Sequence, residues 1–318
     1  MLNRKKKLIV IDSNSVIHRA YHALPPLATK KGEIVNAVYG FLLVFLKAIK
    51  DFRPDYIVAA FDFPAPTFRH KKFKGYKAKR PPAPEELYQQ IPKVKEVLGS
   101  FNVPFFEKEG FEADDIIGTI VNLSSQKQVL PGIENIIISG DLDVLQLVSL
   151  ETRVYALRRG VKDIVLYDKT QIQEKFQGLV PRQLLDFKAL RGDPSDNIPG
   201  VTGIGEKTAL ELLLEFNSLG NLYKEIEENS EKAKKIKPRI KEALLKYKEQ
   251  AFISKELASL QKNVPIDFKL ENCRWEEFSK AGLVKVLKKF EFHSLIKRLP
   301  EKQKQKEKRS ARGNLRLW

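Results

Sequence analysis

Nine acidic side chains lie in short stretches whose spacing suits metal-dependent chemistry. The stretch "GFEADDIIG" (110–118) places three acids within four positions, and "SGDLDVLQL" (139–147) places two acids two residues apart. The full set is Asp12, Asp62, Glu112, Asp114, Asp115, Asp141, Asp143, Asp193 and Asp196. If the fold brings these carboxylates together, they cannot all ionise without cations beside them.

Oxygen ligands without His or Cys favour Mg²⁺ or Mn²⁺ over zinc. A carboxylate site holding two such ions about 3.5–4 Å apart is the arrangement used for in-line phosphodiester hydrolysis. Simpler interpretations exist for each motif alone: acids at a helix start favour the helix dipole, and "GDPSDN" could form an Asx-turn. Several such motifs in one chain favour a ligand cluster.

Three apolar runs predict buried parallel strands that bring acids to one edge of a sheet. They are "LIVID" (8–12), "YIVAAFD" (56–62) and "NIIISGD" (135–141), and each ends in Asp. Helical patterns between them (36–52 and 85–101) indicate an α/β sheet with crossover helices, and "RVYALRRGVKDIVLYD" (153–168) predicts a hairpin near Gly160. Ligands of such sheets bind at the carboxyl ends of the strands, where Asp12, Asp62 and Asp141 should meet.

Two further stretches are typical of phosphate binding. "GVTGIGEKTALELLLEF" (200–216) has glycines before an amphipathic helix, the spacing of a helix-hairpin-helix motif, although a plain Gly-rich turn is the alternative. "FRHKKFKGYKAKRPP" (68–82) has seven Lys and Arg, no acid and interleaved aromatics, which suits a nucleic-acid strand. The alternative for that run is a solvated basic loop.

Composition agrees with an anionic partner. The 318 residues carry a formal net charge of +17 with a pI near 9.6, as in many nucleic-acid-binding proteins, although a basic surface can also serve solubility. The single Cys273 excludes an internal disulfide framework and suits a reducing compartment. Asp12 ends the N-terminal apolar run too early for a signal peptide, so a cytoplasmic, nucleoid-associated protein without a membrane partner is expected.

The order of these motifs, from "VIDSN" and "AAFD" to "ALRGDPSDNIPGVTGIGEKTA" and "KFEFHSL", resembles the 5′ nuclease domain of bacterial DNA polymerase I. The similarity covers about residues 8 to 299 and extends to the flap-endonuclease superfamily. It implies a PIN-like α/β core with a mainly parallel sheet (1–175) that includes a helical arch (69–100). It also implies a helical lobe (176–299) with a helix-hairpin-helix motif at 198–216; the last segment (300–318) is expected to be a disordered basic tail.

The resemblance also implies an activity and its residues. It implies a 5′→3′ exonuclease and 5′-flap endonuclease of primer removal and repair, using two Mg²⁺ (or Mn²⁺) and K⁺ at the helix-hairpin-helix. Asp12, Asp62, Glu112, Asp114 and Asp141 would serve the first metal, and Asp115, Asp143, Asp193 and Asp196 the second. Lys77 would contact the scissile phosphate. The implied DNA-binding set is Arg19, Arg69, Tyr76, Lys77, Arg80, Lys188, Gly200, Gly203, Gly205 and Lys207.

The sequence departs from that family at His18, where a base-stacking aromatic is usual, and at Ser13, where Gly is usual. No polymerase region follows Trp318, so a stand-alone, monomeric nuclease is expected, with a separate polymerase as partner. Its expected substrates are DNA with 5′ flaps or 5′ ends and RNA-primed DNA. Two other functions stay open: a non-catalytic module that binds branched DNA, and an RNA-cutting PIN-type ribonuclease.

Overall fold

A six-stranded sheet forms the centre of the computed structural model, which describes residues 4–126, 132–275 and 280–299. The strands lie in the order β3-β2-β1-β4-β5-β6; five are parallel, and β6 is antiparallel to β5. Their bounds are β1 Lys7–Asp12, β2 Tyr56–Ala60, β3 Phe105–Phe106, β4 Glu134–Ser139, β5 Thr152–Leu157 and β6 Ile164–Tyr167. The mainly parallel α/β sheet and the hairpin at Gly160 are confirmed.

Helices surround the sheet and form the C-terminal part. Those up to residue 124 are α1 Ser13–Ala23, α2 Asn36–Phe52, α3 Phe68–Lys72, α4 Glu85–Tyr88, α5 Ile91–Ser100 and α6 Ala113–Ser124. The later ones are α7 Lys169–Lys175, α8 Leu184–Arg191, α9 Glu206–Phe216, α10 Leu219–Glu227, α11 Glu231–Lys234, α12 Pro238–Lys246, α13 Lys248–Ala258, α14 Lys280–Lys289 and α15 His293–Ile296. Short 3₁₀ helices occur at Asp143–Leu147, Pro181–Gln183 and Leu270–Cys273.

The sheet is buried on both faces, which explains why its strands lack polar alternation. On one face, α1, α2, α5 and α14 pack through residues such as Ile17, Phe41 and Leu287. On the other face, α6 and the segment after α13 pack through Ile117 and Leu260. The strands therefore end at one edge between two apolar layers, and this edge is where the acids lie.

The predicted helix at 85–101 is two helices, and this changes the expected arch. Pro92 lies in the first turn of α5, where its missing N–H costs no hydrogen bond, so a separate helix begins there. Val94 and Leu98 of α5 are fully buried in the core. In the expected arch region (69–100), only α3 and α4 are helical ahead of α5, so residues 73–84 form a non-helical strap rather than a continuous helical arch.

The helical lobe has its own apolar core, which α8, α9 and α10 share. The hairpin before α9 depends on a close backbone crossing: a Cβ at Gly200, whose φ is +63°, would lie 2.2 Å from the nitrogen of Gly192. Such contact leaves room for glycine alone. The division at residue 175/176 stays a prediction, and the expected tail at 300–318 lies outside the described residues. No helix in the described part of the chain is long and apolar enough to span a membrane.

Gly118 allows α6 to lie close to the segment after α13. A Cβ there would lie 2.6 Å from the carbonyl oxygen of Gln261. We expect Gly118→Ala to lower the free energy of unfolding by about 1–3 kcal/mol because backbone must move to admit the methyl group. Urea unfolding measures this. Gly99→Ala in α5 is the control, since its Cβ would meet no atom within 4 Å and alanine favours helix. Equal stability of the two variants would contradict the close packing.

Candidate functional site

A cavity of ≈ 350 Å³ opens at the carboxyl edge of the sheet. Five of the predicted acids line it, namely Asp12, Asp62, Glu112, Asp114 and Asp141. Cationic or titratable side chains line it as well, namely His18, Arg19, His22, Lys77 and Arg80. The structure therefore brings together the whole set predicted for a first metal, from three strand ends and the start of α6.

Asp12 is fixed by groups at the ends of two adjacent strands. It is the N-cap of α1 and accepts a hydrogen bond from the nitrogen of Ser15 (3.2 Å). The Ser139 hydroxyl at the end of β4 donates to its other oxygen (2.6 Å). Ser139 Oγ also accepts from the nitrogen of Asp141 (2.9 Å), so one hydroxyl orders two acids of the cavity.

Asp62 joins β2 to the first turn of α6. Its Oδ1 accepts a hydrogen bond from the nitrogen of Ala113 (2.7 Å), while its own nitrogen donates to Asn14 Oδ1 (3.1 Å). Glu112 is the N-cap residue of α6 and Asp114 follows in the first turn. Among the described residues, Asp114 Oδ1 is a buried carboxylate oxygen without a hydrogen-bond partner.

A second acidic cluster adjoins the cavity. Oxygens of Asp143, Asp193 and Asp196 all lie within 4.8 Å of one another. The nitrogen of Asp143 donates to Asp141 Oδ1 (2.9 Å), which links the cluster to the cavity acids. Lys188 of α8 forms ion pairs with both Asp143 and Asp193, the latter at 2.7 Å.

The strap (residues 73–84) supplies cations to both groups of acids. Lys77 Nζ lies 2.9 Å from Glu112 Oε1, and Arg80 forms an ion pair with Asp196. The buried Tyr76 hydroxyl lies 3.0 Å from Glu112 Oε2 and 3.3 Å from Asp196 Oδ2. Lys77 has a φ of +54°, and such left-handed backbone in a non-glycine residue is kept where surrounding contacts hold it.

Burial and repulsion raise the pKa values of several of these acids. Burial, with help from Asp62 and Asp141, raises the pKa of Asp12 to about 6 against its two serine hydrogen bonds. Burial and Asp141 raise the pKa of Asp143 to about 7 although Lys188 opposes the rise. Burial also raises the pKa of Asp114 well above its usual range. These carboxyls therefore keep a proton to higher pH than a solvent-exposed aspartate does.

Other acids are held ionised by cations that outweigh their burial. Burial alone would raise the pKa of Glu112, but Lys77 and Arg69 bring it below the usual value. Burial likewise opposes ionisation of Asp193, yet Lys188 and Ser195 lower its pKa to about 2. Nearby basic side chains thus already neutralise part of the charge repulsion among the acids that the sequence predicted.

Two predicted residues lie away from the cavity. Arg69, predicted as a DNA contact, is only 1% exposed, and Asp115, predicted as a metal ligand, is 0% exposed. They pair through two hydrogen bonds of 2.7 Å each. A guanidinium that is fully covered by protein has no surface to offer a phosphate, so the structure does not support DNA contact by Arg69. The same holds for Tyr76, which was predicted as a DNA contact and is only 3% exposed.

The remaining predicted DNA contacts are distributed over three places. Arg19 lines the cavity and donates to the carbonyl of Gly140 (2.8 Å). Gly203, Gly205 and Lys207 are exposed at the start of α9, where a Cβ at either glycine would meet no atom within 4 Å. Gly200, predicted as a DNA contact, instead allows the backbone to pass close to Gly192, which is a structural role.

Sequence reasoning missed His22, which lies four residues after His18 on α1. Their ring centroids are 6.4 Å apart, and both rings line the cavity. This i, i+4 spacing was readable from the sequence and can hold zinc on a helix. In the described ranges, however, no third His, Cys, Asp or Glu completes a metal site with them. Burial, His22 and Arg80 lower the pKa of His18.

The oxygen-only donor set suits a hard divalent cation. Eight carboxylates face the cavity or the adjoining cluster, and one buried oxygen of Asp114 still lacks a partner. Mg²⁺ and Mn²⁺ prefer such ligands. Among the described residues, the oxygens of Asp143, Asp193 and Asp196 already lie close enough together to share one ion, whereas no three of the cavity acids do. The donor types suit a hard cation in both groups, and the ligand assignment stays a prediction.

Family comparison covers nearly all of the chain. A family model for "5'-3' exonuclease, N-terminal resolvase-like domain" matches residues 7–177, and one for "5'-3' exonuclease, C-terminal SAM fold" matches residues 179–281. DNA polymerase I of Bacillus subtilis is 40% identical over 300 residues, which cover 94% of this chain and 33% of that protein. DNA polymerase I of Caldicellulosiruptor bescii is 42% identical over 295 residues, covering 92% and 33%. The chain thus spans about a third of the length of these relatives.

Solved structures share the fold. The bacteriophage T5 D15 protein co-crystallized with metal ions aligns with a TM-score of 0.64 at 19% identity, covering 90% of this chain and 97% of that one. The catalytic core of Rad2 in complex with DNA substrate aligns with a TM-score of 0.56 at 17% identity, covering 90% and 88%. At these identities the likeness concerns the fold, and it confirms the predicted architecture.

Tyr76 connects the strap to both acidic groups. We expect Tyr76→Phe to lower the free energy of unfolding by about 1–2 kcal/mol because a buried carboxylate loses its hydroxyl donor. Chemical unfolding of the metal-free protein measures this loss. Tyr88→Phe on α4 is the matched control, because Tyr88 is 49% exposed and its change should stay within about 0.5 kcal/mol. Equal effects of the two variants would argue against the bridging role of Tyr76.

Proposed function

Because the chain belongs to the 5′-3′ exonuclease family, we propose that it is a Mg²⁺-dependent nuclease that hydrolyses DNA phosphodiesters at 5′ ends and 5′ flaps. The observation that carries this proposal is the pair of adjoining acidic groups at the carboxyl edge of the sheet, surrounded by Arg19, Lys77 and Arg80. Acidic residues alone would be equally suited to a protein that only binds metal ions. Acids faced by phosphate-binding cations suit a reaction at a phosphodiester.

The proposed ligands fall into two groups. Asp12, Asp62, Glu112, Asp114 and Asp141 would hold one ion, and Asp143, Asp193 and Asp196 the other. Two divalent ions at such sites lower the pKa of a water and stabilise the charge that develops on a phosphate under attack. No side-chain nucleophile is then needed.

The basic side chains would bind and orient the phosphate. Lys77 and Arg80 now neutralise Glu112 and Asp196, and each could transfer its hydrogen bonds to a phosphate oxygen. Lys188 lies between two acids and would act in the same way at the second group. Backbone N–H groups near Gly203 and Gly205, with Lys207, would hold a duplex phosphate at the start of α9, where K⁺ could also bind.

The biological context follows from this chemistry. We propose that the nuclease acts as a monomer on 5′ flaps, 5′ ends and RNA-primed DNA during primer removal and repair. A separate polymerase would fill the gaps that it leaves. The cytoplasm, in association with the nucleoid, is the proposed location.

A 5′-labelled DNA flap tests the function directly. We expect short 5′ products in MgCl₂ and none in EDTA, and we expect Asp143→Asn to lower the cleavage rate by at least roughly 100-fold because it removes charge next to the reacting phosphate. Gel assays measure cleavage, and fluorescence anisotropy in EDTA measures binding. Asp267→Asn is the matched control, since the side chain of Asp267 is 83% exposed and lies in neither acidic group.

The outcomes separate the competing functions. Binding of branched DNA without metal-dependent cleavage would favour the non-catalytic module and reject the nuclease. Cleavage of an RNA flap with an intact DNA flap of equal shape would favour the PIN-type ribonuclease. Equal activity of Asp143→Asn and the wild type would place the chemistry elsewhere.

The raised pKa values of Asp12 and Asp143 predict how metal stabilisation depends on pH. A buried carboxyl whose pKa is raised keeps its proton in the folded state. The free energy that this proton contributes to stability is present below about pH 4 and is lost as pH rises through the folded pKa. That pKa is about 6 for Asp12 and about 7 for Asp143. A divalent cation replaces the proton. We therefore expect MgCl₂ to raise the Tm more at about pH 8 than at about pH 5.5.

Thermal unfolding in MgCl₂ and in NaCl of equal ionic strength separates binding from screening. In Asp143→Asn, the Tm increase caused by MgCl₂ should differ less between the two pH values, because one of the two carboxyls with a raised pKa is gone. A Tm increase from Mg²⁺ that is independent of pH would contradict the assignment of these acids as ligands.

A further inference from the structure

We propose that Asp115 is not a metal ligand but the counter-ion of Arg69, and that Arg69 is a positioning residue that orients the metal-binding start of α6. The carboxylate and the guanidinium are both buried, on the side of α6 away from the cavity. The metal-binding and kinetic parts of this proposal rest on the proposed function, whereas the ion pair itself does not.

The hydrogen bonds of Asp115 leave no lone pair for a metal. Its Oδ1 accepts from Arg69 Nη2 (2.7 Å) and from the nitrogen of Gln261 (2.8 Å). Its Oδ2 accepts from Arg69 Nη1 (2.7 Å) and from the nitrogen of Glu112 (3.1 Å). A carboxylate has about four acceptor positions, and all of them are used. The adjacent Asp114 differs in that one of its buried oxygens, Oδ1, accepts no hydrogen bond within the described ranges and is free to bind a cation.

The donors of Arg69 are used as completely. Besides the two bonds to Asp115, Nε donates to the carbonyl of Leu257 (2.9 Å), Nη2 to the carbonyl of Ser259 (2.8 Å), and Nη1 lies 3.4 Å from Glu112 Oε2. The guanidinium therefore joins α3 at the start of the basic run, the first turn of α6, and the end of α13. Since the pair is fully buried and bidentate, a Lys at this position could not make all of these bonds.

This arrangement fixes the rotation of α6 about its axis. Successive residues of a helix point about 100° apart, so holding Asp115 inward turns Asp114 towards the cavity. The bond from the nitrogen of Glu112 to Asp115 Oδ2 fixes the N-cap in the same way. A small rotation would displace two proposed ligands together, which is costly for a reaction that needs exact placement.

A double-mutant cycle in thermal stability tests the ion pair without any assay of activity. We expect Arg69→Met and Asp115→Asn each to lower the Tm by roughly 10 °C because each leaves a buried group unpaired. The double variant should lose less than the sum of the two. Additive losses would overturn the pairing. Arg69→Lys is a milder variant that keeps the positive charge. Its Tm should lie between those of Arg69→Met and the wild type, because an ammonium group cannot make the two parallel bonds of the guanidinium to Asp115.

Titration with Mn²⁺, followed by electron paramagnetic resonance in the absence of DNA, tests the ligand assignment. Asp115→Asn should keep the number of bound ions and should lose no more affinity than Arg69→Met, because both variants act only through the placement of α6. Asp114→Asn, its neighbour on α6, should weaken binding more than either of them, by at least about tenfold. Loss of an ion in Asp115→Asn would overturn the proposal. If neither variant changes Mn²⁺ binding, the proposed metal cavity fails, and the stability cycle still decides on the ion pair.

The kinetic part separates positioning from DNA contact. At a temperature where Arg69→Met is folded, kcat on the DNA flap should fall about 10–100-fold while the Kd for DNA stays within twofold and its salt dependence is unchanged. Arg80→Met is the matched control from the same basic run: its Kd should rise and its salt slope should fall by about one. The same response in Arg69→Met would show a phosphate contact and overturn the positioning role.

Discussion

Mutual repulsion among carboxylates that the fold concentrates at one edge of its sheet is the constraint on which this molecule depends. Parallel strands end together, so Asp12, Asp62 and Asp141 meet at one edge of the sheet. Burial makes the repulsion stronger, and it raises the pKa of Asp12 and Asp143. Four basic residues are placed where they reduce this cost. Lys188, Lys77, Arg80 and Arg69 each contact at least one acid.

The acids and their cations come from distant parts of the sequence, and this links the two lobes. Lys188 of α8 pairs with Asp143 near the sheet, and Asp196, in the loop before the hairpin of the helical lobe, pairs with Arg80 of the strap. The strap is also attached to this loop through its backbone, because the nitrogen of Lys77 donates to the carbonyl of Asp196 (2.9 Å) and Asn197 donates to the carbonyl of Gly75 (2.6 Å). The contacts that neutralise charge thus lie between the same segments as the contacts that attach the strap to the helical lobe.

Much of this could be predicted from the sequence because it depends on local pattern. Continuous apolar runs that end in Asp predicted three strands and their common edge, and α2 lies where its periodicity placed it. Pro92 was a readable sign that the helix expected at 85–101 is divided. The two-residue β3 carries too little pattern to be recognised.

The distinction between similar neighbours could not be predicted, since it depends on remote packing. Asp114 and Asp115 are adjacent and chemically alike, and what separates them is a segment whose Gln261 lies 146 positions from Asp115. Arg69 and Arg80 lie in one basic run, yet the first is buried against the end of α13 while the side chain of the second is 47% exposed. A family resemblance assigns the same role to such residues unless the fold is known.

Lys188 differs from a dissolved ion in one respect that matters for folding. Its ammonium group is covalently attached beside Asp143 and Asp193, so dilution or chelation cannot remove it. A tethered partner acts at a high effective concentration. The chain can therefore fold around its acids in a medium poor in divalent ions. A divalent ion that bound between these two acids would have to displace the lysine, so the concentration it needed would depend on Lys188 as well as on the affinity of the carboxylates.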